Sequence, residues 1–186
     1  RVKVFAVGEM MFEVAQSIGL RLKPENILNA DRDLLDVLRS SVFNKILGQL
    51  HDNSQGKYDA IVLCNHTFFY WKKHYLRAFD KFLNQFSPDM YVTFIDSHSN
   101  IRKKLAQRPQ WGEENLTAEK VLEWQGVEVE ATSGFADMAS KPFFVVPATE
   151  SPSLFYRLIF HPEIETVYTA MPISHFLEAK DRKPID

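Results

Sequence analysis

The sequence predicts an α/β fold, a parallel sheet with helices on both faces in three layers. Two observations carry this. Five short apolar runs recur along the 186 residues, and segments with helical periodicity separate most of them, as right-handed helical crossovers between parallel strands require. The composition is that of a folded chain: 45% hydrophobic, 25% charged, with a formal charge of −2. That balance excludes a disordered charged tail and a collagen-like or mucin-like chain.

The elements follow in order. Val2-Lys3-Val4-Phe5-Ala6-Val7 reads as a strand ended by Gly8. Glu9 to Ile18 places Met10, Met11, Val14, Ala15 and Ile18 on one helical face, and Gly19 stops it. A loop over 21–29 follows. Asp31 caps a helix to about Leu50, with Leu34, Leu35, Leu38, Val42 and Ile46 along one stripe. His51 to Lys57 is a polar turn, and Tyr58 to Cys64 is the second strand. A helix is expected from about Tyr70 to Phe86, broken by Ser87-Pro88. Met90 to Ile95 is the third strand, and Ser99 to Gln107 a helix stopped before Pro109. Thr117 caps a helix through Trp124. The segment from Val127 to Met138 fits either a strand or more of that helix. Pro142 to Val146 is the fourth strand, Leu154 to Phe160 a short helix, and Thr166 to Ala170 the fifth strand.

Several functions lack their sequence signals. Lys plus Arg number 22 against 24 acids, so no basic nucleic-acid-binding surface stands out. No apolar run nears the roughly 20 residues of a membrane helix, and no signal-peptide pattern opens the chain. One cysteine, Cys64, cannot form an internal disulfide. The expectation is a soluble cytoplasmic protein without a membrane partner; homo-oligomerisation is left open. The chain begins at Arg1 rather than Met and ends in a polar stretch, which reads as a fragment. The glycines (Gly8, Gly19, Gly48, Gly56, Gly112, Gly126 and Gly134) provide neither a phosphate loop nor a dinucleotide fingerprint. The histidines have no metal-binding spacing, so no metal site is expected.

Parallel sheets bind ligands at the carboxyl ends of their strands. This directs attention to Gly8-Glu9-Met10, Asn65-His66-Thr67, Asp96-Ser97-His98, Pro147 to Glu150 and Met171 to His175. Asp31-Arg32-Asp33 reads as a helix N-terminus with acids favoured by the dipole, or as a guanidinium placed for a phosphate. Arg102-Lys103-Lys104 with Arg108 reads as a solvated helix face, or as cations closing over phosphates beside a polar loop containing Trp111.

The stretch Val7-Gly8-Glu9-Met10-Met11-Phe12-Glu13-Val14-Ala15-Gln16, followed by Asp31-Arg32-Asp33, resembles the second strand and monophosphate-binding helices of archaeal-type adenylate kinases. There a Gly-x-x-Met-Phe-Glu-Val-Ala run precedes Asp-Arg-Asp. Ile61 to Thr67 resembles the family's Val-Val-Asp-Thr-His-Ser strand end, and Ser87-Pro88-Asp89 its Asn-Pro-Asp segment. Ile101 to Leu105 falls where its basic lid helix begins, and Phe143 to Val146 at its last core strand.

The resemblance implies a P-loop nucleoside monophosphate kinase-like fold over residues 1–150 that lacks its first strand and P-loop. It implies a protein that, when intact, transfers a phosphoryl group from ATP to a nucleoside monophosphate, with magnesium. Gly8 and Phe12 would flank the acceptor nucleotide. Arg32 would meet its phosphate, Asp31, Asp33 and Thr67 would also bind the substrate, and His66 would sit near the transfer site. Lys103, Lys104 and Arg108 would cover the donor phosphates. The missing P-loop and three further departures put activity in doubt, and Cys64 with the missing P-loop suggests an alternative, a catalytically degenerate nucleotide-binding or regulatory module. Cys64 stands where the family has an Asp that organises magnesium. Lys103 and Lys104 replace paired arginines. Gln107 to Trp111 does not reproduce the lid's Arg-x-Arg-Asp pattern. Residues 151–186 form an extension, and Glu165 to Ser174 resembles the opening strand of nucleoside 2-deoxyribosyltransferase-like domains, as if a second, fused domain began there.

Overall fold

In the computed structural model, which describes residues 1–52, 56–79, 81–111 and 116–164, the expected strand–helix alternation forms a mixed α/β architecture. Strand β1 (Val2–Ala6) runs directly into helix α1 (Val7–Ser17). A 3-10 segment, Pro24–Asn29, leads to α2 (Arg32–Asp52). Asp31 starts α2 as expected, its Oδ1 accepting from the Asp33 and Leu34 amides at 2.9 and 3.4 Å. Strand β2 (Ala60–Cys64) pairs parallel with β1 in unbroken register, Val2 opposite Ala60 through Ala6 opposite Cys64.

The next segment departs from expectation. In place of a helix from Tyr70 to Phe86, the chain forms an antiparallel hairpin, β3 (Phe68–Trp71) and β4 (His74–Arg77), and then a 3-10 segment, Lys81–Phe86. Four consecutive aromatics favour a pleated, half-buried surface over a helix. The loop is only Lys72–Lys73, and both residues adopt positive φ, 47° and 66°.

Strand β5 (Tyr91–Ile95) leads to α3 (His98–Ala106), capped by Ser97, whose Oγ accepts from the Asn100 amide at 3.2 Å. The ambiguous stretch after Trp124 is helical: α4 runs from Ala118 to Ala139 and ends at Ser140 in the left-handed region. Strand β6 (Phe143–Pro147) pairs parallel with β5, and α5 (Pro152–Phe160) completes the described elements. Contacts divide the chain into one unit at 1–150 and another at 151–186. The expected fifth strand, Thr166 to Ala170, and the deoxyribosyltransferase-like stretch lie outside the described residues.

The expected single sheet is not continuous. Among the described residues the strands form three two-stranded sheets, β1–β2, β3–β4 and β5–β6. Two apolar cores accompany them. Phe5, Val7, Met11, Ala15, Leu38, Val42, Phe43 and Ile46 join β1 to α1 and α2, with Ile61 and Leu63 of β2 packed on. The leucine stripe read along α2 is therefore its buried face. Tyr70, Trp71, Trp111, Leu116, Val121 and Trp124 join the hairpin to α4. Phe12, Ile27 and Leu35 on the first side and Phe69, Tyr75 and Leu76 on the second line a shared cavity. The parallel pairs themselves remain half-open: Val4 is 54% and Phe94 53% exposed, although parallel strands ordinarily bury both faces.

Candidate functional site

The cavity has a volume of 1240 Å³. Its floor is the carboxyl end of the β1–β2 pair, where Gly8 and Glu9 open α1 and Cys64, Asn65 and His66 follow β2. One wall is the start of α2, with Arg32, Asp36 and Arg39; the facing wall is the hairpin, and Gln107, Arg108 and Gln110 close a third side. Strand ends and helix starts converge here because every parallel crossover returns to the same edge.

The lining is cationic and aromatic. It carries Arg32, Arg39, Lys72, Arg77 and Arg108 against Glu9 and Asp36, with Phe12, Phe68, Phe69, Trp71 and Tyr75 between them. Arg39 is buried, and its guanidinium donates to Asp36 Oδ1 at 2.7 Å. Arg32 and Arg108 are exposed and have no ion pair among the described residues. Trp71 is fixed by an edge-on contact with Trp111, ring centroids 5.1 Å apart, and donates its indole N–H to Asn29 Oδ1 at 3.3 Å. Tyr75 donates to Glu123 at 3.1 Å; desolvation and that bond push its phenol up to about 12. Such a surface suits an anion that also carries a flat apolar group.

The residues singled out in the sequence divide between the cavity and its surroundings. Gly8, Phe12, Arg32, His66 and Arg108 line it together. Asp31 is occupied as the α2 cap, and Asp33 stands exposed in the first turn of that helix, outside the lining. Lys103 lies on α3 away from the cavity lining. Lys104 instead bridges to Asp96 Oδ2 at 2.8 Å. Asp96 also accepts from Asn100 Nδ2 and the Ser97 amide, and these bonds, that from Lys104 foremost, lower its carboxyl to about 2. The Asp96-Ser97-His98 segment is thus a strand-end turn that caps α3.

Thr67 is not in the lining either. Its amide and hydroxyl both donate to Glu128 Oε2, at 2.8 and 2.6 Å, while His66 Nδ1 lies 2.9 Å from Glu128 Oε1. The Glu128 side chain is 15% exposed. Burial opposes its ionisation, but the bond and charge of His66 and the two bonds from Thr67 outweigh that and hold the carboxyl below its ordinary value. The His66 ring also stacks at a tilt on Phe69, centroids 4.4 Å apart. Sequence reasoning missed Glu128. It is one acid among several on α4, and its partner lies 62 residues away. The only usable signal is its helical spacing from the buried Val121 and Trp124, which puts it on the face turned to the hairpin.

Cys64 is exposed, yet desolvation of its sulfur and the nearby Glu9 carboxylate push the thiol up. A neutral thiol is a poor magnesium ligand, and no group of three metal-binding side chains occurs among the described residues. These residues do not by themselves fit a magnesium site. No helix of the described residues is long and apolar enough to cross a membrane. No protein-family model matches the chain, and no curated protein is significantly similar to it.

Proposed function

We propose that this chain is a nucleotide-binding, kinase-like module whose cavity takes a nucleoside monophosphate. One observation carries the reading: Gly8, Phe12, Arg32, His66 and Arg108, chosen by their likeness to archaeal-type adenylate kinases, line one cationic and aromatic cavity. In it Arg32 and Arg108 offer guanidinium forks to phosphate, and Phe12 and the hairpin aromatics offer flat surfaces to a base.

The same reading joins β1–β2 and β5–β6 as halves of one three-layer parallel sheet, completed by a further strand between β2 and β5. Both pairs are parallel, and each leaves a half-exposed face, Val4 on one and Phe94 on the other, of the kind that a three-layer sheet covers. A protein in which that strand carries a phosphate loop would bind ATP and transfer its terminal phosphoryl group. Without it the module binds and does not turn over. Cys64, a neutral thiol where the family has a magnesium-organising Asp, favours the second reading, a nucleotide-sensing or regulatory module.

The test is isothermal calorimetry of this chain with a panel of nucleoside monophosphates and with inorganic phosphate. The expected result is saturable binding of at least one nucleotide, weaker binding of phosphate, and loss of affinity in Arg32→Ala. Absence of binding by every nucleotide overturns the proposal. Measurable phosphoryl transfer from ATP to a nucleoside monophosphate by this chain would reject the regulatory reading.

A further inference from the structure

We infer that Glu128 and His66 form a carboxylate–imidazole pair that presents an unprotonated ring nitrogen to the cavity as a proton acceptor. The inference deepens the proposed site and rests on that cavity being where the ligand lies. It starts from hydrogen-bond bookkeeping. An ionised carboxylate only accepts, and Glu128 is held ionised. Its Oε2 accepts twice from Thr67, and its Oε1 lies 2.9 Å from His66 Nδ1. Nδ1 must therefore carry a hydrogen and donate it. In the neutral ring Nε2 then bears the lone pair, and it has no hydrogen-bond partner among the described residues. Free neutral imidazole side chains favour the opposite tautomer, so the arrangement has to be imposed. Glu128 imposes it as a buried group anchored by Thr67, and Phe69 holds the ring plane.

The chemistry follows from the position. His66 lines the cavity beside Cys64 and Asn65, and the same lining carries Arg32, Arg39 and Arg108. A ligand hydroxyl or a water bound there can give its proton to Nε2. The oxygen keeps the electron pair, and the ring becomes an imidazolium. Its new charge lies against the Glu128 carboxylate, which stays ionised throughout. The ligand class is thus an anionic molecule that carries an O–H or holds a water beside Nε2. Glu128 touches neither and acts as the positioning residue.

Substituting Glu128→Gln tests this sharply. The Thr67 amide and hydroxyl need an acceptor, so the single amide oxygen takes the place of Oε2. The amide NH₂ then faces His66 Nδ1, which must accept. The ring flips to the Nε2–H tautomer with the fold retained. Long-range ¹H–¹⁵N spectra of the ligand-free protein, at a pH where the ring is neutral, read the tautomer directly; the His66 signals are assigned from His66→Gln. The wild type should show Nδ1–H, E128Q should show Nε2–H, and Glu128→Ala should relax towards Nε2–H as free imidazole does. An Nε2–H wild type overturns the inference whether or not any variant folds. An unchanged tautomer in folded E128Q and E128A overturns the role of Glu128. No ligand enters the measurement, so failed nucleotide binding would reject the proposed function and leave the pair intact, and the reverse also holds.

Discussion

The hairpin turn offers a perturbation whose two effects run in opposite directions. Trp71 pairs with His74, so the loop is Lys72–Lys73 alone, with φ of 47° and 66°. Positive φ at both positions marks the twisted two-residue turn that Asn-Gly fits best. A side chain in the left-handed region costs roughly 1–2 kcal/mol per residue. Lys72→Asn with Lys73→Gly removes much of that strain, and glycine's extra freedom in the unfolded chain returns roughly 0.5–1 kcal/mol. The net gain is about 1 kcal/mol, which for a chain of this length raises Tm by about 2–4 °C. The same change deletes the Lys72 ammonium from the cavity wall. An exposed charge contact is worth up to about 1 kcal/mol, so anion affinity should fall by up to about fivefold. Thermal melts and nucleotide calorimetry on the same double variant measure both. An unchanged or lower Tm would refute the strain argument. A raised Tm with unchanged affinity would refute the placement of Lys72 in the ligand wall.

Three further outcomes are expected. The Asp96 carboxyl sits at about 2 in the fold against an ordinary 3.8, so its stabilising contribution is complete above about pH 4 and drains as pH falls towards 2; melts against pH should show Asp96→Asn less stable at neutral pH, with the gap closing across that window. Phe43 is fully buried and packs on Phe86 at 5.3 Å, so Phe43→Ala should lose about 3–5 kcal/mol in urea unfolding, and a loss under 1 kcal/mol would contradict the core described. Cys64 is the only cysteine and lines the cavity; its raised thiol should react slowly with a thiol reagent, and bound nucleotide should slow it further, whereas equal rates with and without ligand would place the ligand elsewhere.

How far the sequence could be read follows from which forces are local. Helix α2 was legible because its cap, Asp31, and its leucine stripe lie within one segment. The parallel strands were legible as apolar runs between helices. The hairpin was not: its turn is Lys-Lys, which carries no turn signal, and its aromatics can be counted into either a helix or a strand. What decides for the strand is non-local, the packing of Trp71 on Trp111 and the Trp124 N–H donated to the Phe68 carbonyl at 2.8 Å. Helix α4 was ambiguous at Val127 and Val129 because alternation and helical spacing coincide over so short a run. In the cavity, the strand-end residues Gly8 and His66 were accessible from topology. Lys72, Arg77 and Arg39 were not, since only the hairpin and the depth of α2 bring them to the site. The assignment of Thr67 to a ligand and of Lys104 to phosphate ran against short-range partners, Glu128 and Asp96, that no spacing rule reveals.

The most direct measurement of the central claim uses the three tryptophans, all of which belong to the core beside the cavity. Trp71 also lines the cavity itself. Titrating the chain with nucleoside monophosphates should change its tryptophan fluorescence along a saturable curve that weakens in Arg32→Ala and shifts when inorganic phosphate competes. A signal that never saturates for any nucleotide, or a saturable one indifferent to Arg32, would contradict the account.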